Sequence, residues 1–109
     1  MARILVLDDE PGVRVLILRI LNDENYRVHL FGYLAAAKEA DARAPYDLVI
    51  TDGLLPDGNG ARWAEDLLAS GRRVILASAS ETAQGVPTLV KPFKPDDLKQ
   101  LVAQVLKNA

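Results

Sequence analysis

The chain has 109 residues, half of them apolar, with a formal net charge of −2 and no cysteine. This length suits one domain, predicted over residues 1–109, and the apolar content is sufficient for a buried core. The near-neutral charge excludes the electrostatic signature of nucleic-acid binding, and the lack of cysteine excludes disulfides and thiolate chemistry. No segment has the pattern of a signal peptide or a membrane-spanning helix, so we expect a cytoplasmic protein without membrane or nucleic-acid partners.

Short apolar segments alternate along the chain with segments of helical periodicity. In chain order, the pattern predicts a strand at 3–7, a helix at 11–22, a strand at 27–31, a helix at 33–42, a strand at 47–51, a helix at 61–69, strands at 74–77 and 89–90, and a helix at 95–107. The first helix is expected to bury Val13, Leu16, Ile17, Ile20 and Leu21, and the last Leu98, Leu101, Val102, Val105 and Leu106. This alternation predicts an α/β fold whose parallel sheet is covered by helices on both faces.

Chemically reactive residues follow the predicted strands at their carboxyl ends. Asp8 and Asp9 follow the first strand and Asp52 the third, whereas Ser78 follows the fourth strand and Lys91 the fifth. In doubly wound sheets a ligand binds beyond the carboxyl ends of the strands, so these side chains are expected to share a pocket. Clustered carboxylates repel one another unless a cation lies among them, and oxygen ligands suit Mg²⁺. An aspartate can act as the nucleophile in phosphoryl transfer, while a lysine and a hydroxyl can hold phosphoryl oxygens.

Four segments together resemble the signatures of the response-regulator receiver family of two-component signalling: LVLDDEP at 5–11, TDGLLPDGNG at 51–60, VILASA at 74–79 and VKPF at 90–93. The resemblance implies a flavodoxin-like, doubly wound parallel sheet of five strands in the order 2-1-3-4-5. It also implies that a sensor histidine kinase or a histidine phosphotransfer protein supplies a phosphoryl group. The domain would then signal by contact with a downstream protein, and as an enzyme it would catalyse at most its own phosphorylation and dephosphorylation.

The resemblance also implies a role for each site residue. Asp52 would be the phosphoacceptor, Ser78 would bond one phosphoryl oxygen and Lys91 would pair with another. The implied ligands of a Mg²⁺ ion are the side chains of Asp8, Asp9 and Asp52 and the backbone carbonyl of Leu54, with Asp9 in direct contact. The Lys91–Pro92 peptide bond is expected to be cis, which only a bond before proline allows at low cost.

The sequence departs from the family pattern in two places. Thr88 stands three residues before Lys91, where the family usually has an aromatic residue. Only twelve residues separate Ser78 from Lys91, and Gly85 and Pro87 among them are poor helix formers, so the fourth helix is expected to be shortened or absent. Without that helix, we expect an uncovered apolar face on the strand pair of Val74, Ile75, Leu76, Leu89 and Val90. A partner or a second copy of the chain would cover this face, which makes a homodimer a candidate assembly.

Two other functions are compatible with parts of the pattern. A phosphatase with an aspartate nucleophile typically carries a second aspartate two residues later as general acid, but Leu54 occupies that position. A docking module that has a receiver fold and does not depend on phosphorylation would not need the acidic and basic residues that are present here. On the first helix, Val15 and Leu18 lie opposite the predicted core stripe, so we expect them to be exposed. The resemblance to the receiver family implies that the phosphodonor docks on this helix, so we expect these two residues to meet it.

Overall fold

The expected elements are all present in a computed structural model that describes residues 1–108; residue 109 of the predicted domain lies outside the described residues. The strands are β1 (Arg3–Leu7), β2 (Arg27–Phe31), β3 (Leu48–Thr51), β4 (Leu54–Leu55), β5 (Gly58–Asn59), β6 (Val74–Ser78) and β7 (Thr88–Val90). The helices are α1 (Pro11–Asn22), α2 (Leu34–Arg43), α3 (Gly60–Ala69) and α4 (Pro95–Lys107). The sequence pattern did not reveal the short antiparallel hairpin of β4 and β5, which follows the third strand directly.

Five strands form one parallel sheet in the order β2-β1-β3-β6-β7. Because β6 and β7 are the fourth and fifth strands of this sheet, the order is the predicted 2-1-3-4-5, and the flavodoxin-like α/β fold is confirmed. The chain adds β2 on one side of β1 and then β3 on the other. The strand order therefore reverses between β1 and β3, where a ligand crevice is expected.

Successive side chains of a strand point to opposite faces of the sheet, and helices cover both faces, so a central strand contributes side chains to two cores. Ile4 and Val6 of β1 pack into a core with α1 and α4, whereas Leu5 and Leu7 pack into a second core with α2 and α3. Burial on both sides explains why the central strands β1, β3 and β6 are largely apolar rather than alternating, whereas the edge strand β2 is only partly buried and carries Arg27 and His29. None of the four helices in residues 1–108 combines the length and the apolar character that crossing a bilayer requires.

The core stripe of α1 is narrower than predicted. Ile17, Ile20 and Leu21 are buried and Val13 is partly buried, but Leu16 is 45% exposed, so its assignment to the core was wrong. Leu16 instead lines an open cleft between the start of α1 and the segment that follows β7. The predicted core residues of α4 do pack inward: Leu98, Val102 and Val105 are buried, and Leu101 and Leu106 are partly buried.

The connection between β6 and β7 contains a turn at 84–85 and no helix, as predicted. The prediction of an uncovered apolar face, however, was wrong. The connection inserts Ala83 and Val86 into the core that contains α2 and α3, and each is only 7% exposed. Val74 and Leu76 are buried in this same core, whereas Ile75 and Leu89 are buried in the core with α1 and α4. Of the five apolar residues predicted to form the uncovered face, only Val90 is exposed, so this face gives no reason to expect a second copy of the chain.

Candidate functional site

The carboxyl edge of the sheet brings together the acidic and basic residues that follow the strands. Backbone hydrogen bonding continues past the strand ends: the Asp52 amide donates to the carbonyl of Leu7 at 2.8 Å, and the Lys91 amide donates to the carbonyl of Ser78 at 3.0 Å. These bonds fix the backbone from which the side chains project. Asp8 and Ser78 are almost fully buried and Asp52 is 9% exposed, so the pocket is largely shielded from bulk water.

The ammonium group of Lys91 lies between two of the carboxylates. Its Nζ is 2.6 Å from Oδ2 of Asp8 and 3.4 Å from Oδ2 of Asp52, and the lysine side chain is 15% exposed. Burial by itself would lower the pKa of Lys91, but the hydrogen bond to Asp8 and the charges of both aspartates outweigh burial and raise it. Lys91 is therefore held as a cation beside Asp52. The Lys91–Pro92 bond that follows is cis, as expected.

The charge of Asp52 is only partly compensated in the pocket. Its Oδ1 accepts a hydrogen bond from the Gly53 amide at 2.7 Å. Burial raises the pKa of Asp52, and the nearby charge of Asp8 raises it further; the attraction of Lys91 and the Gly53 amide lower it, but the net shift is upward. A further cation next to Asp52 would be favoured, because the existing positive charge does not offset the burial of this carboxylate.

Asp8, Asp9 and Glu10 form an acidic cluster, in which the carboxylate oxygens lie within 4.8 Å of one another. In the part of the chain that the structure describes, it is the one group of three or more His, Cys, Asp or Glu side chains whose ligand atoms all lie this close together. Asp8 also accepts a hydrogen bond from the Glu10 amide at 2.9 Å, whereas Asp9 is exposed and accessible to a hydrated cation. An all-oxygen donor set of this kind suits Mg²⁺.

The remaining predicted metal ligands lie at the neighbouring strand. Asp52 is outside the acidic cluster and lies beside Lys91 instead. Leu54, whose backbone carbonyl was predicted as a ligand, begins β4 two residues further on and pairs with Asn59. Gly60 supports this segment from α3, because a side chain there would collide with the carbonyl oxygen of Asp52. Only glycine allows this approach, so α3 begins directly against the backbone of the candidate acceptor.

The hydroxyl group of Ser78 is already engaged. It donates to Oε1 of Glu81 at 2.7 Å and accepts from the Glu81 amide at 3.0 Å. Glu81 and Glu10 were not among the residues predicted from the sequence. The Ser-x-x-Glu spacing was an available signal for Glu81, because it is the spacing of reciprocal bonds at helix starts, although here no helix follows.

Comparison with known proteins identifies the family. Residues 4–103 match the pattern of the response regulator receiver domain. The chain therefore belongs to the response regulator receiver domain family, the signalling domains of two-component systems. The DNA-binding response regulator MtrA of Mycolicibacterium smegmatis is 34% identical over 113 residues, which cover 94% of this chain and 48% of MtrA. The chain spans between about a quarter and about half the length of the curated relatives it matches.

Solved receiver domains have the same fold. The non-phosphorylated HemR receiver domain of Leptospira biflexa superimposes with a TM-score of 0.87 at 25% identity, covering 100% of this chain and 97% of that one. The response regulator TrrA of Thermotoga maritima, in complex with Mg²⁺-BeF, superimposes with a TM-score of 0.85 at 30% identity, covering 96% of this chain and 99% of TrrA. The likeness extends over essentially the whole chain.

Proposed function

We propose that this chain accepts a phosphoryl group on Asp52 from a histidine kinase or a histidine phosphotransfer protein. The observation that carries the proposal is the placement of Lys91 between Asp8 and Asp52 at a buried edge that also holds the Ser78 hydroxyl. A nucleophile, a cation and a hydroxyl donor at adjoining strand ends are the groups that phosphoryl transfer to a carboxylate requires.

In the proposed reaction, an oxygen of Asp52 attacks the phosphorus of a phosphohistidine. The phosphorus–nitrogen bond breaks, the imidazole nitrogen leaves with the bonding electron pair, and an acyl phosphate forms on Asp52. Lys91 pairs with one phosphoryl oxygen and Ser78 donates a hydrogen bond to another. Because Lys91 is held in place by Asp8, its charge is positioned before the phosphoryl group arrives.

Mg²⁺ is the metal that these residues fit. Asp8 and Asp9 would hold it together with Asp52 and the carbonyl of Leu54, and Glu10 is a further carboxylate within the same cluster. When bound, the ion would neutralise charge between the carboxylates and the phosphoryl oxygens. Asp9 is the better candidate for direct contact, since both oxygens of Asp8 already accept hydrogen bonds.

The phosphodonor would dock beside α1. Val15 and Leu16 are 44% and 45% exposed, but Leu18 is partly buried, so the prediction that Leu18 is exposed was wrong and Leu16 takes its place beside Val15. Leu16 lines a cleft of about 410 Å³ with Phe93 and with Lys91, which belongs to the pocket. A partner that covers the apolar part of this cleft would bring its histidine close to Asp52. A downstream protein would then recognise the phosphorylated surface.

Labelling with a small phosphodonor tests the proposal. The wild-type chain, incubated with Mg²⁺ and acetyl phosphate, should gain one phosphoryl group by intact mass, and Asp52→Asn should gain none. Asp57→Asn is the matched control, because Asp57 lies on the same segment but its carboxylate caps α2 through the Leu34 and Ala35 amides. Continuous release of phosphate without an adduct would indicate a phosphatase. Absence of any reaction would indicate a docking module that does not depend on phosphorylation.

A further inference from the structure

The side chain of Glu81 is tied to the pocket from the connection between β6 and β7. One carboxylate oxygen accepts the Ser78 hydroxyl at 2.7 Å and the other accepts the Ser80 hydroxyl at 2.9 Å. The Glu81 amide donates back to Ser78 at 3.0 Å. Ser78 is therefore held by Glu81 through two hydrogen bonds, one to the side chain and one to the backbone.

Glu81 also lies against the residue that follows Asp52. A Cβ atom on Gly53 would come within 2.8 Å of Cγ and 2.9 Å of Oε1 of Glu81, so the glycine leaves the space that this side chain occupies. Hydrogen bonds from Ser78 and Ser80 lower the pKa of Glu81, and the charge of Lys91 contributes in the same direction. The partly exposed carboxylate of Glu81 thus lies next to Ser78 and Gly53, two residues that adjoin the proposed phosphoryl site on Asp52.

The Ser78 hydroxyl has a single proton to donate, so it cannot bond Glu81 and a phosphoryl oxygen at the same time. A phosphoryl group would also repel the Glu81 carboxylate, because both are anionic. We propose that Glu81 holds the Ser78 hydroxyl in the unphosphorylated chain in place of a phosphoryl oxygen, and that phosphorylation of Asp52 transfers the Ser78 hydrogen bond to the phosphoryl group and releases residues 79–82. This inference rests on the proposed function of Asp52.

The proposed release of the connection between β6 and β7 ends before Ala83. Ala83 and Val86 are buried in the core, and the Val86 amide donates to the carbonyl of Ala83 at 3.2 Å. The Gln84 amide donates to Oε2 of Glu65 on α3 at 2.9 Å. None of these contacts involves the pocket, so the second half of the connection stays in place. The phosphorylated surface therefore differs from the unphosphorylated one at residues 79–82, next to the pocket.

The first test measures whether Glu81 competes with a phosphoryl mimic for the pocket. The mimic is beryllium fluoride, added together with Mg²⁺. Glu81→Ala should bind the mimic about threefold to tenfold more tightly than the wild type, because a charge-assisted hydrogen bond no longer has to be broken. Acetyl phosphate should label this variant faster by a similar factor. Glu65→Gln is the matched control, since it removes one charge and loosens the same connection at Gln84 without contacting Ser78; it should bind and react like the wild type. Equal affinity of Glu81→Ala and wild type would overturn the inference.

Two further variants separate the loss of the hydrogen bond between Glu81 and Ser78 from the loss of the negative charge of Glu81. Gly53→Ala should also strengthen binding of the mimic, because the added methyl group would collide with the Cβ atom of Glu81 and would push residue 81 away from Ser78 while its charge remains. In a Ser78→Ala background, Glu81→Ala should give a smaller gain than in the wild type, because the contested hydroxyl is absent. A gain of the same size in both backgrounds would reduce the effect to charge repulsion and refute the exchange of the Ser78 bond.

Amide hydrogen exchange provides a readout that is independent of labelling. Beryllium fluoride should accelerate exchange at the Glu81 amide and leave the amides of Gln84 and Val86 protected. Unchanged protection at Glu81 in a chain that binds the mimic would refute the release. If the wild type neither binds the mimic nor gains a phosphoryl group, the proposed function fails. If the wild type does both, the Glu81 amide stays protected and Glu81→Ala has no effect, only this inference fails.

Discussion

Replacing Asp52 by asparagine should stabilise the metal-free chain, although it removes the proposed phosphoacceptor. The Asp52 side chain is 12% exposed. Burial raises its pKa, and the attraction of Lys91 only partly opposes this effect. A carboxyl group whose pKa is higher in the folded than in the unfolded chain destabilises the fold at neutral pH, where it is charged in both states. Asparagine keeps the shape and an oxygen that can accept the Gly53 amide.

The expected gain is the small difference between larger opposing contributions. At 3.4 Å, Lys91 and Asp52 attract each other by about 5 kcal/mol with an effective dielectric constant of about 20. Desolvation of a buried ion costs several kcal/mol, and repulsion by Asp8 adds to it. The upward pKa shift shows that the unfavourable contributions prevail. Because Lys91 keeps its partner Asp8 at 2.6 Å, no cation is left unpaired. We expect a gain of about 1 kcal/mol, which raises Tm by about 4 °C.

Urea and thermal unfolding in EDTA at pH 7 measure this difference. Asp66→Asn makes the same change of charge at an exposed position of α3 and should stay within about 0.5 kcal/mol of the wild type. As the pH falls through the raised folded-state pKa, Asp52 becomes protonated in the wild type, so the advantage of Asp52→Asn should disappear. Mg²⁺ should also narrow the gap, because it would stabilise the wild type more. A variant less stable than the wild type in EDTA, or a gain no larger than that of Asp66→Asn, would refute the reasoning.

Three other predictions test different parts of the structure. Asp9→Ala should weaken Mg²⁺ binding in calorimetric titrations more than Asp8→Ala, and equal affinities would contradict direct contact by Asp9. Asp41→Asn should lower the free energy of unfolding by about 2 kcal/mol, because Arg72 donates two hydrogen bonds to this buried carboxylate, at 2.9 and 2.7 Å. Burial alone would raise the pKa of Asp41, but Arg72 lowers it on balance, so this stabilisation should be lost as the pH falls below about 4. Leu16→Glu should slow phosphoryl transfer from a cognate protein donor but not from acetyl phosphate; equal slowing would indicate misfolding.

Apart from the short hairpin of β4 and β5, the sequence by itself predicted the order of the elements, and it indicated where the reactive side chains converge. Apolar segments of strand length and helices with a repeating apolar stripe are local patterns, and each predicted boundary lies within one residue of the observed one. In a parallel sheet all strands end at the same edge, so residues that follow strands converge whatever their separation along the chain. For this reason Asp8, Asp52 and Lys91 could be placed together before their distances were known.

Only the tertiary structure decided which side chains touch across that framework. Ala83 and Val86 fill the space that a missing helix would leave uncovered, and Leu16 faces a cleft that it lines together with Phe93. The pairing of Asp41 with Arg72 joins residues 31 positions apart, which no local pattern encodes. These contacts depend on how elements pack in three dimensions, whereas periodicity reports only which face of an element is apolar.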